Sequence, residues 1–367
     1  MAKKSSVEKK KKFDDDTSNA LLKEYGDIIK SGSEVLGEIQ ELKTISVSPA
    51  LDSALNGGIR EGTVVGIAGA PKTGKTTAAL NFAAKCQAKG KLVVYLNSEG
   101  RLNSQNFDGV KGLDVAALKI VESTDKVAVT GEMFLDIAER YGKTVPGCVI
   151  LIDSLSSLVP KNEMEDKLNA QTRNSLPRLL AQFFKRSSHY ITKNGIILIC
   201  IAHQIADTGP SRKTKMTDCG NMFQYQVGTN LVINFKTPWK GKEGESDIGQ
   251  CLNWEVLTSN TGAIPGTKVV GWLRYGIGID DVKEMLEAAC EYRLISGSGW
   301  YTVCALSEDP EHPLVAKYLE EKGTDTSKQE NIDKAFKFQG MAKLQGFFQD
   351  HPEFIPVMNE KMNELFA

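Results

Sequence analysis

The chain has 367 residues, of which 41% are hydrophobic and 25% charged, and its formal net charge is −1. This ordinary globular composition excludes an extended disordered, collagen-like or coiled-coil protein. The sequence has no apolar run long enough to cross a membrane and no secretory signal near its start, so we expect a cytoplasmic protein. Its length predicts two or more domains.

The N-terminal residues divide into a charged tail and a helix. In residues 1–16 a lysine block precedes an aspartate block, and we predict a mobile tail. From Thr17 to about Lys30, apolar side chains recur at helical spacing, which predicts one amphipathic helix ahead of the main domain, followed by Gly32 and Gly37 within an N-terminal arm at residues 17–43. The apolar residues of this helix are Leu21, Tyr25, Ile28 and Ile29. Such a face needs covering, either by its own domain or by a neighbouring subunit.

From residue 44 to residue 280, predicted strands and helices alternate. The predicted buried strands are continuous apolar runs at residues 63–69, 91–98, 148–154 and 195–204. Continuous runs indicate strands covered on both faces, which is typical of an α/β sheet with a parallel core. Later strands at 230–235, 251–260 and 267–276 predict a more antiparallel edge. For residues 281–367 we predict a small α+β C-terminal domain.

A phosphate-binding loop is predicted directly after the first buried strand. The segment from Gly69 to Thr76 satisfies the pattern G-x-x-x-x-G-K-[ST] between a strand and a helix. In such loops backbone N–H groups and the lysine bind the phosphates of ATP, and the hydroxyl ligates Mg²⁺. The alternative is a chance match in an ordinary turn. The predicted nucleotide-binding residues are Gly69, Ala70, Pro71, Lys72, Thr73, Gly74, Lys75, Thr76, Thr77 and Asn103.

Two carboxylates come at the ends of predicted strands. Asp153 ends the strand at 148–154, as expected for the acid that holds Mg²⁺ through water, together with Thr76. Glu99 follows the strand at 91–98, and we assign it to polarising the attacking water. Open α/β sheets bind ligands at the carboxyl ends of their parallel strands. The alternative for Glu99 is an ordinary surface acid.

Taken in order, these motifs resemble the RecA/UvsX family of strand-exchange recombinases over nearly everything from Ile45 onward. The opening ISVSPALDSALNGGIREGTVVGIAGAPKTGKTT, the step of 24 residues from Lys75 to Glu99, LIDSLSSLVPKNEMED and the late GWY are similar to the family's motifs. Gln204, in IAHQIA, stands where the family has a glutamine that senses the γ-phosphate, so we count it with Lys75 and Glu99 as catalytic. The resemblance is nearer to the bacteriophage UvsX branch.

The resemblance implies a RecA-like P-loop ATPase core with a mainly parallel central sheet and an N-terminal arm that docks on the next subunit. It also implies two DNA-binding loops, at about residues 163–175 and 205–224. A long aperiodic stretch inside a compact domain is usually functional. The predicted DNA-binding residues are Arg173, Arg178, Lys185, Arg212, Lys213 and Lys215. The alternative is that these are ordinary solvated cations.

The sequence departs from the family at several positions. The resemblance puts a lysine pair that acts on the neighbour's ATP at Ser259 and Thr261, so Lys268, Arg274 or a metal cation would have to substitute. The region after Glu99, which includes Asn103 and Asn106, lacks a tyrosine to stack on adenine. A lone strand-end histidine such as His203 is more often structural than catalytic.

The expected function is that of an ATP-dependent homologous recombinase and DNA-dependent ATPase. Such a protein forms helical filaments on single-stranded DNA and pairs it with homologous double-stranded DNA through backbone contacts. A single-strand binding protein and a loader are further expected partners. Two alternatives stay open: a nucleotide-gated DNA-binding scaffold with weak ATPase activity, favoured by the missing lysine pair, and a hexameric helicase on the same fold.

Overall fold

A computed structural model describes residues 15–26, 28–165, 175–205, 216–217, 219, 221–241 and 246–365. The chain divides into two compact units, Met1–Lys43 and Thr44–Ala367. No helix within the described ranges is long and apolar enough to span a bilayer.

The strands are β1 (Thr44–Ile45), β2 (Ile59–Arg60), β3 (Thr63–Gly69), β4 (Val93–Asn97), β5 (Lys119–Val121), β6 (Val149–Asp153), β7 (Ile197–Ile205), β8 (Met216–Thr217), β9 (Thr229–Lys240), β10 (Asp247–Thr258), β11 (Lys268–Arg274), β12 (Gly278–Ile279), β13 (Trp300–Thr302) and β14 (Lys337–Gln339).

The α-helices are α1 (Asp15–Tyr25), α2 (Gly32–Glu41), α3 (Pro49–Ala54), α4 (Lys75–Ala88), α5 (Ser104–Asp108), α6 (Gly131–Thr144), α7 (Lys161–Glu165), α8 (Ser175–Lys193), α9 (Asn221–Gln226), α10 (Asp281–Glu291), α11 (Cys304–Ser307), α12 (Pro313–Glu321), α13 (Gln329–Ala335), α14 (Gly340–Asp350) and α15 (Phe354–Glu364). A 3₁₀ turn covers Leu155–Ser157.

The first unit contains two helices, so the prediction of one amphipathic helix there was wrong. Helix α1 ends at Tyr25, and α2 begins after Ser31. A second helix starts at this point because the Ser31 hydroxyl accepts a hydrogen bond from the Glu34 N–H, while the Glu34 carboxylate accepts one from the Ser31 N–H. Several apolar side chains of this unit are exposed. They are Leu21, Leu22, Tyr25, Ile28, Ile29, Val35, Leu36 and Ile39.

The large sheet of the second unit confirms the predicted α/β class with a mainly parallel centre. Its strand order is β12-β11-β10-β9-β3-β7-β6-β4-β5. The five neighbouring pairs from β9 to β5 in this order are parallel. The pairs β9–β10, β10–β11 and β11–β12 are antiparallel, which confirms the antiparallel edge. The ends of β3, β4, β6 and β7 therefore meet at one edge.

Alternation of side chains along the strands gives the sheet two apolar faces. Val65 and Ile67 of β3 pack in the cluster that contains the buried residues of α4. Val64 of the same strand packs in the cluster that contains the buried residues of α6 and α8. Because both faces are covered, the central strands are apolar throughout, and polar side chains appear only where the strands end.

A third apolar cluster is formed by residues between Met285 and Met362. Its centre is aromatic: Phe347 packs against Tyr318, Phe348 and Phe354 at ring-centroid distances of 5.1–5.6 Å. We call this group, together with Phe336, the aromatic cluster. Helices α10 and α14 pack on one another, and β13 pairs with β14, so this part mixes helices with a small sheet. The domain boundary after residue 280 stays a prediction.

Candidate nucleotide site at the strand ends

The predicted phosphate loop connects β3 to α4. Gly74 precedes α4 in the left-handed conformation with φ of 87°, where a side chain would be strained. A Cβ at Gly74 would also lie 2.9 Å from Leu273 Cδ1. Ala70, Pro71 and Lys72 are exposed, while Thr73 is buried and its hydroxyl donates to the Ala70 carbonyl at 2.8 Å. The loop is thus held from inside and open on its outer side, as an anion site at a helix N-terminus requires.

Lys75 is buried inside this loop. Its Nζ donates to the carbonyl oxygens of Gly69 at 3.0 Å and Ala70 at 2.8 Å. Burial lowers the pKa of the Lys75 ammonium below its usual value, although the charges of Asp153 and Glu99 oppose this shift. Within the described part of the chain, the ammonium bonds to these two neutral carbonyls and forms no ion pair with a carboxylate. An anion at the loop would supply the missing charge.

Asp153 ends β6 beside the start of α4. Its Oδ2 accepts hydrogen bonds from the Thr76 hydroxyl at 2.7 Å and the Tyr95 hydroxyl at 2.6 Å. Burial raises the pKa of Asp153, and the nearby Glu99 carboxylate adds to this effect, while the two hydroxyl donors oppose it. Thr76 and Asp153 are thus brought together as predicted, and the peptide bond from Asp153 to Ser154 is cis.

Glu99 lies two residues beyond the end of β4, and three side chains approach its carboxylate. Oε1 is 2.6 Å from His203 Nε2 and accepts a hydrogen bond from the Ser154 hydroxyl at 2.9 Å, while Arg101 approaches Oε2 at 3.6 Å. Burial by itself raises the pKa of Glu99, but the hydrogen bonds and the charges of His203 and Arg101 outweigh it and lower the pKa overall. Glu99 is therefore ionised at neutral pH and able to accept a proton.

Gln204 lies at the end of β7 and leaves one polar atom unsatisfied. Its Oε1 atom is buried. Of the buried side-chain nitrogen and oxygen atoms in the part of the chain that the structure describes, it is the one that has no hydrogen-bond partner. Such an orphan costs about 1–3 kcal/mol, so natural proteins keep it where a ligand or an ion completes it. Together with Gly69–Thr77, Glu99 and Asp153, Gln204 forms what we call the phosphate edge.

The residues of the phosphate edge fit Mg²⁺ bound together with phosphates. Mg²⁺ takes oxygen ligands and is usually held by one or two carboxylates plus substrate phosphates rather than by a cage of protein side chains. Asp153 and Thr76 supply this pattern of one carboxylate and one hydroxyl. No group of three or more His, Cys, Asp or Glu side chains that could hold a metal ion occurs among the described residues.

A cavity of about 420 Å³ opens beside the first turn of α4. Thr77, a predicted nucleotide-binding residue directly after the loop, lines it together with Gln105 and Asp108 of α5 and Tyr275, which follows β11. Asn103 does not line this cavity; its side chain caps α5 by accepting from the Asn106 N–H at 3.2 Å. Sequence reasoning missed Tyr275 because nearly 200 residues separate it from the loop.

The predicted DNA-binding residues are only partly described. Arg178 and Lys185 are exposed on α8, whose buried side includes Leu180 and Phe184. Arg173, Arg212, Lys213 and Lys215 lie outside the described residues. Of the first predicted loop, residues 163–165 lie in α7 and Ser175 begins α8, while residues 166–174 lie outside the described residues. In the second, Met216 and Thr217 pair with β7, and residues 221–226 are helical.

Ser259 and Thr261 bond within a turn of their own chain. Their hydroxyls are 2.6 Å apart, and the Thr261 hydroxyl donates to the Leu55 carbonyl at 2.5 Å. Of the two cations that could substitute for a lysine pair, Arg274 is held by Asp280 at 2.7 Å and stacks on Trp239 at 4.6 Å. Lys268 begins β11 and is exposed. The assignment of a residue that acts on a neighbour's ATP stays a prediction.

Comparison with known proteins gives one family. The profile of the RecA N-terminal domain matches residues 16–280. The RecA protein of Xylella fastidiosa (strain M12) is 29% identical over 282 residues, which cover 76% of this chain and 78% of that protein. The RecA protein of Xanthomonas axonopodis pv. citri (strain 306) is 27% identical over 282 residues, covering 76% and 79%. Both relatives are bacterial, and closeness to the phage branch stays a prediction.

Proposed function

We propose a mechanism for this chain from the premise that it belongs to the RecA family and is therefore an ATP-dependent recombinase of DNA recombination and repair. The observation that supports the residue assignments most strongly is the phosphate edge. There Lys75, Asp153 and Glu99 come from three different parts of the chain and meet beside an open phosphate loop. Each of these charged groups is buried or half-buried. Buried charges without full pairing are costly, so they are kept for a ligand or a reaction.

In the proposed reaction, the loop N–H groups and Lys75 bind the β- and γ-phosphates of ATP. Glu99 accepts a proton from a water molecule as the water oxygen bonds to the γ-phosphorus. The bond between that phosphorus and the bridging oxygen breaks, and ADP carries away the electron pair. Thr76 and Asp153 would hold Mg²⁺, which supplies positive charge next to the phosphates. Gln204 would donate its amide N–H to the γ-phosphate, and its buried Oε1 would be completed by a donor such as water or by the metal ion.

The adenine base is proposed to occupy the cavity beside α4. Tyr275 is 55% exposed there and presents an aromatic ring, while Gln105 and Asp108 supply polar groups for the base edge. Aromatic stacking is a common way to hold a base without strong sequence preference. Tyr275, directly after β11, would thus replace the missing tyrosine after Glu99, and the nucleotide would span from the cavity to the phosphate loop.

The family implies DNA binding and self-association, and we propose which parts of this chain carry them. Arg178 and Lys185 face solvent from one side of α8 and would contact backbone phosphates. The exposed apolar side chains of the first unit would be covered by a neighbouring copy in a helical filament on single-stranded DNA. Homologous double-stranded DNA is the second DNA substrate, and a single-strand binding protein and a loader are further partners. In a bacterial or phage-infected cell, this DNA lies in the cytoplasm.

A strand-exchange assay tests the function. The purified chain, with ATP and Mg²⁺, should transfer a strand from a homologous linear duplex to circular single-stranded DNA. Heterologous duplex should give no product. Lys75→Ala should give none with either duplex, because loss of two charge-assisted contacts weakens nucleotide binding about a hundredfold. Normal exchange by Lys75→Ala would overturn the assignment, and unwinding of forked DNA without pairing would favour a helicase.

A further inference from the structure

The Glu99 carboxylate has a partner that the proposed reaction does not use. His203 Nε2 lies 2.6 Å from Glu99 Oε1, although the two residues are separated by more than a hundred positions. An ionised carboxylate offers only acceptors, so Nε2 carries the proton and donates it. The Ser154 hydroxyl donates to the same Oε1 at 2.9 Å. Two donors therefore occupy one oxygen of the carboxylate.

The sheet, rather than Glu99 itself, fixes where His203 stands. Strand β7 lies between β3 and β6, and His203 is directly opposite Gly69, the first glycine of the phosphate loop. The His203 N–H donates to the Ser156 hydroxyl at 3.0 Å, which ties the residue to the turn after β6. Three parallel strands thus determine the distance between the imidazole and the loop, and the imidazole in turn determines the orientation of the carboxylate.

This arrangement leaves Oε2 as the oxygen that can receive a proton. Both in-plane lone pairs of Oε1 are engaged by His203 and Ser154. Oε2 has a neighbour in Arg101, but only at 3.6 Å, and the Arg101 side chain is 80% exposed. A carboxylate held at one oxygen cannot rotate, and a base that is displaced by about 1 Å can lose on the order of a hundredfold in rate.

We propose that His203 is a positioning residue for ATP hydrolysis: it fixes Glu99 through Oε1, so that Oε2 faces the attacking water. This inference deepens the proposed function and rests on the assignment of Glu99 as the base. His203 touches neither the nucleotide nor the water. Its effect is therefore expected on turnover and not on nucleotide affinity.

The test is steady-state ATP hydrolysis by the full chain in the presence of single-stranded DNA. His203→Leu should lower kcat about ten- to a hundredfold with KM changed by no more than about twofold, because ground-state binding is untouched. His203→Asn, whose amide ends short of the Nε2 position, should behave like His203→Leu while keeping the strand end polar. His203→Gln reaches further and should restore most of the turnover.

A matched control is available in the C-terminal part of the chain. His351 also pairs with a glutamate, since its Nδ1 is 3.2 Å from Glu353 Oε1, but this pair lies in the turn between α14 and α15. His351→Leu should leave kcat and KM unchanged. Equal losses in both histidine variants would indicate a general effect on folding and would overturn the inference.

Combination with Glu99→Gln separates failure of the inference from failure of the proposed function. If His203 acts through Glu99, adding His203→Leu to Glu99→Gln should lower kcat no further. A wild-type kcat in His203→Leu, a multiplicative loss in the double variant, or no rescue by His203→Gln would overturn the positioning role alone. A wild-type kcat in Glu99→Gln would overturn the base assignment and the inference with it.

Discussion

The phosphate edge and the aromatic cluster are both largely buried, but they bury opposite kinds of side chain. At the phosphate edge, Lys75 and Asp153 are 7% and 5% exposed and have pKa values displaced by burial. In the aromatic cluster, Phe336 and Phe348 are fully buried and contact other rings. Burying rings is favourable by about 2–3 kcal/mol each, whereas burying charges is costly.

This difference explains how one chain can be stable and still hold a reactive site. The aromatic cluster contributes free energy of folding without chemistry. The phosphate edge lowers stability, because Lys75, Glu99 and the Oε1 of Gln204 are buried or half-buried without complete pairing and stay available for a ligand. Substitutions at the two places should therefore have separable effects, one on turnover or ligand binding and the other on unfolding.

The largest expected effect is on turnover at the phosphate edge. Glu99→Gln removes the proposed base but keeps the size of the side chain, so kcat for DNA-dependent ATP hydrolysis should fall about 10²- to 10⁴-fold. ATP-dependent binding to single-stranded DNA should persist, because the phosphate contacts of the loop are unchanged. Phosphate release measured by a coupled assay gives the rate. Hydrolysis at the wild-type rate would contradict the assignment.

A substitution in the aromatic cluster is expected to cost a comparable free energy, but to lower the stability of the fold and not the turnover. Phe348 is fully buried and packs on Phe347 at 5.1 Å. Phe348→Ala should lower the free energy of unfolding by about 3–5 kcal/mol, from lost burial and the cavity left behind. Guanidinium titration measures the loss, and Phe235→Ala, at an exposed position, should cost about 0.5 kcal/mol or less. A changed kcat in the folded Phe348→Ala variant would contradict the view that the aromatic cluster affects stability and not turnover.

A buried carboxylate outside the phosphate edge should make stability depend on pH. Glu284 accepts hydrogen bonds from the Trp272 N–H at 2.8 Å and the Ala50 N–H at 3.1 Å, and burial raises its pKa to about 7. At pH values between the pKa of Glu284 in the unfolded chain and about 7, Glu284 is protonated in the folded chain and ionised in the unfolded chain. Stability from Glu284 is therefore present at low pH and is lost as pH rises towards about 7.

The variant Glu284→Gln, which cannot titrate, isolates this contribution. The stability of Glu284→Gln relative to the unsubstituted chain should rise by about 3 kcal/mol between pH 4.5 and pH 8. Urea unfolding at several pH values measures the difference. A difference that is independent of pH would show that the pKa of Glu284 does not change on folding and would contradict the prediction.

The smallest effects are expected from single exposed cations. Arg178→Gln and Lys185→Gln should each weaken binding to single-stranded DNA about tenfold or less and reduce the salt slope by about 0.7. Binding is measured by fluorescence anisotropy over a range of salt concentrations. Lys317→Gln, on α12 near the aromatic cluster, should leave the slope unchanged. An equal reduction of the salt slope in Lys317→Gln would show that Arg178 and Lys185 contribute to DNA binding no more than a cation elsewhere on the surface.

The sequence predicted the parts of the site that are local along the chain. The phosphate loop, Glu99 and Asp153 could be found because each follows an apolar run that forms a central strand. Three long-range contacts could not be predicted from the sequence. They are those of His203 with Glu99, of Tyr95 with Asp153 and of Tyr275 with the cavity beside α4. They depend on which strands are neighbours, and strand order is not encoded in local periodicity.

For the fold, too, the sequence predicted some features correctly and missed others. Continuous apolar strands indicated the parallel centre, whereas the start of α2 was missed because Gly32 and Gly37 suggested the end of a helix. The Ser31–Glu34 capping pair outweighs those glycines. Ser259 and Thr261, which the resemblance matches to a lysine pair, use their hydroxyls within a turn of this structure.

The most direct test of the account is the affinity of the full chain for single-stranded DNA with three nucleotide states. Affinity should be highest with a slowly hydrolysed ATP analogue and Mg²⁺, and much lower with ADP or without nucleotide. Equal affinity in all three states would contradict the claim that the phosphate edge controls DNA binding.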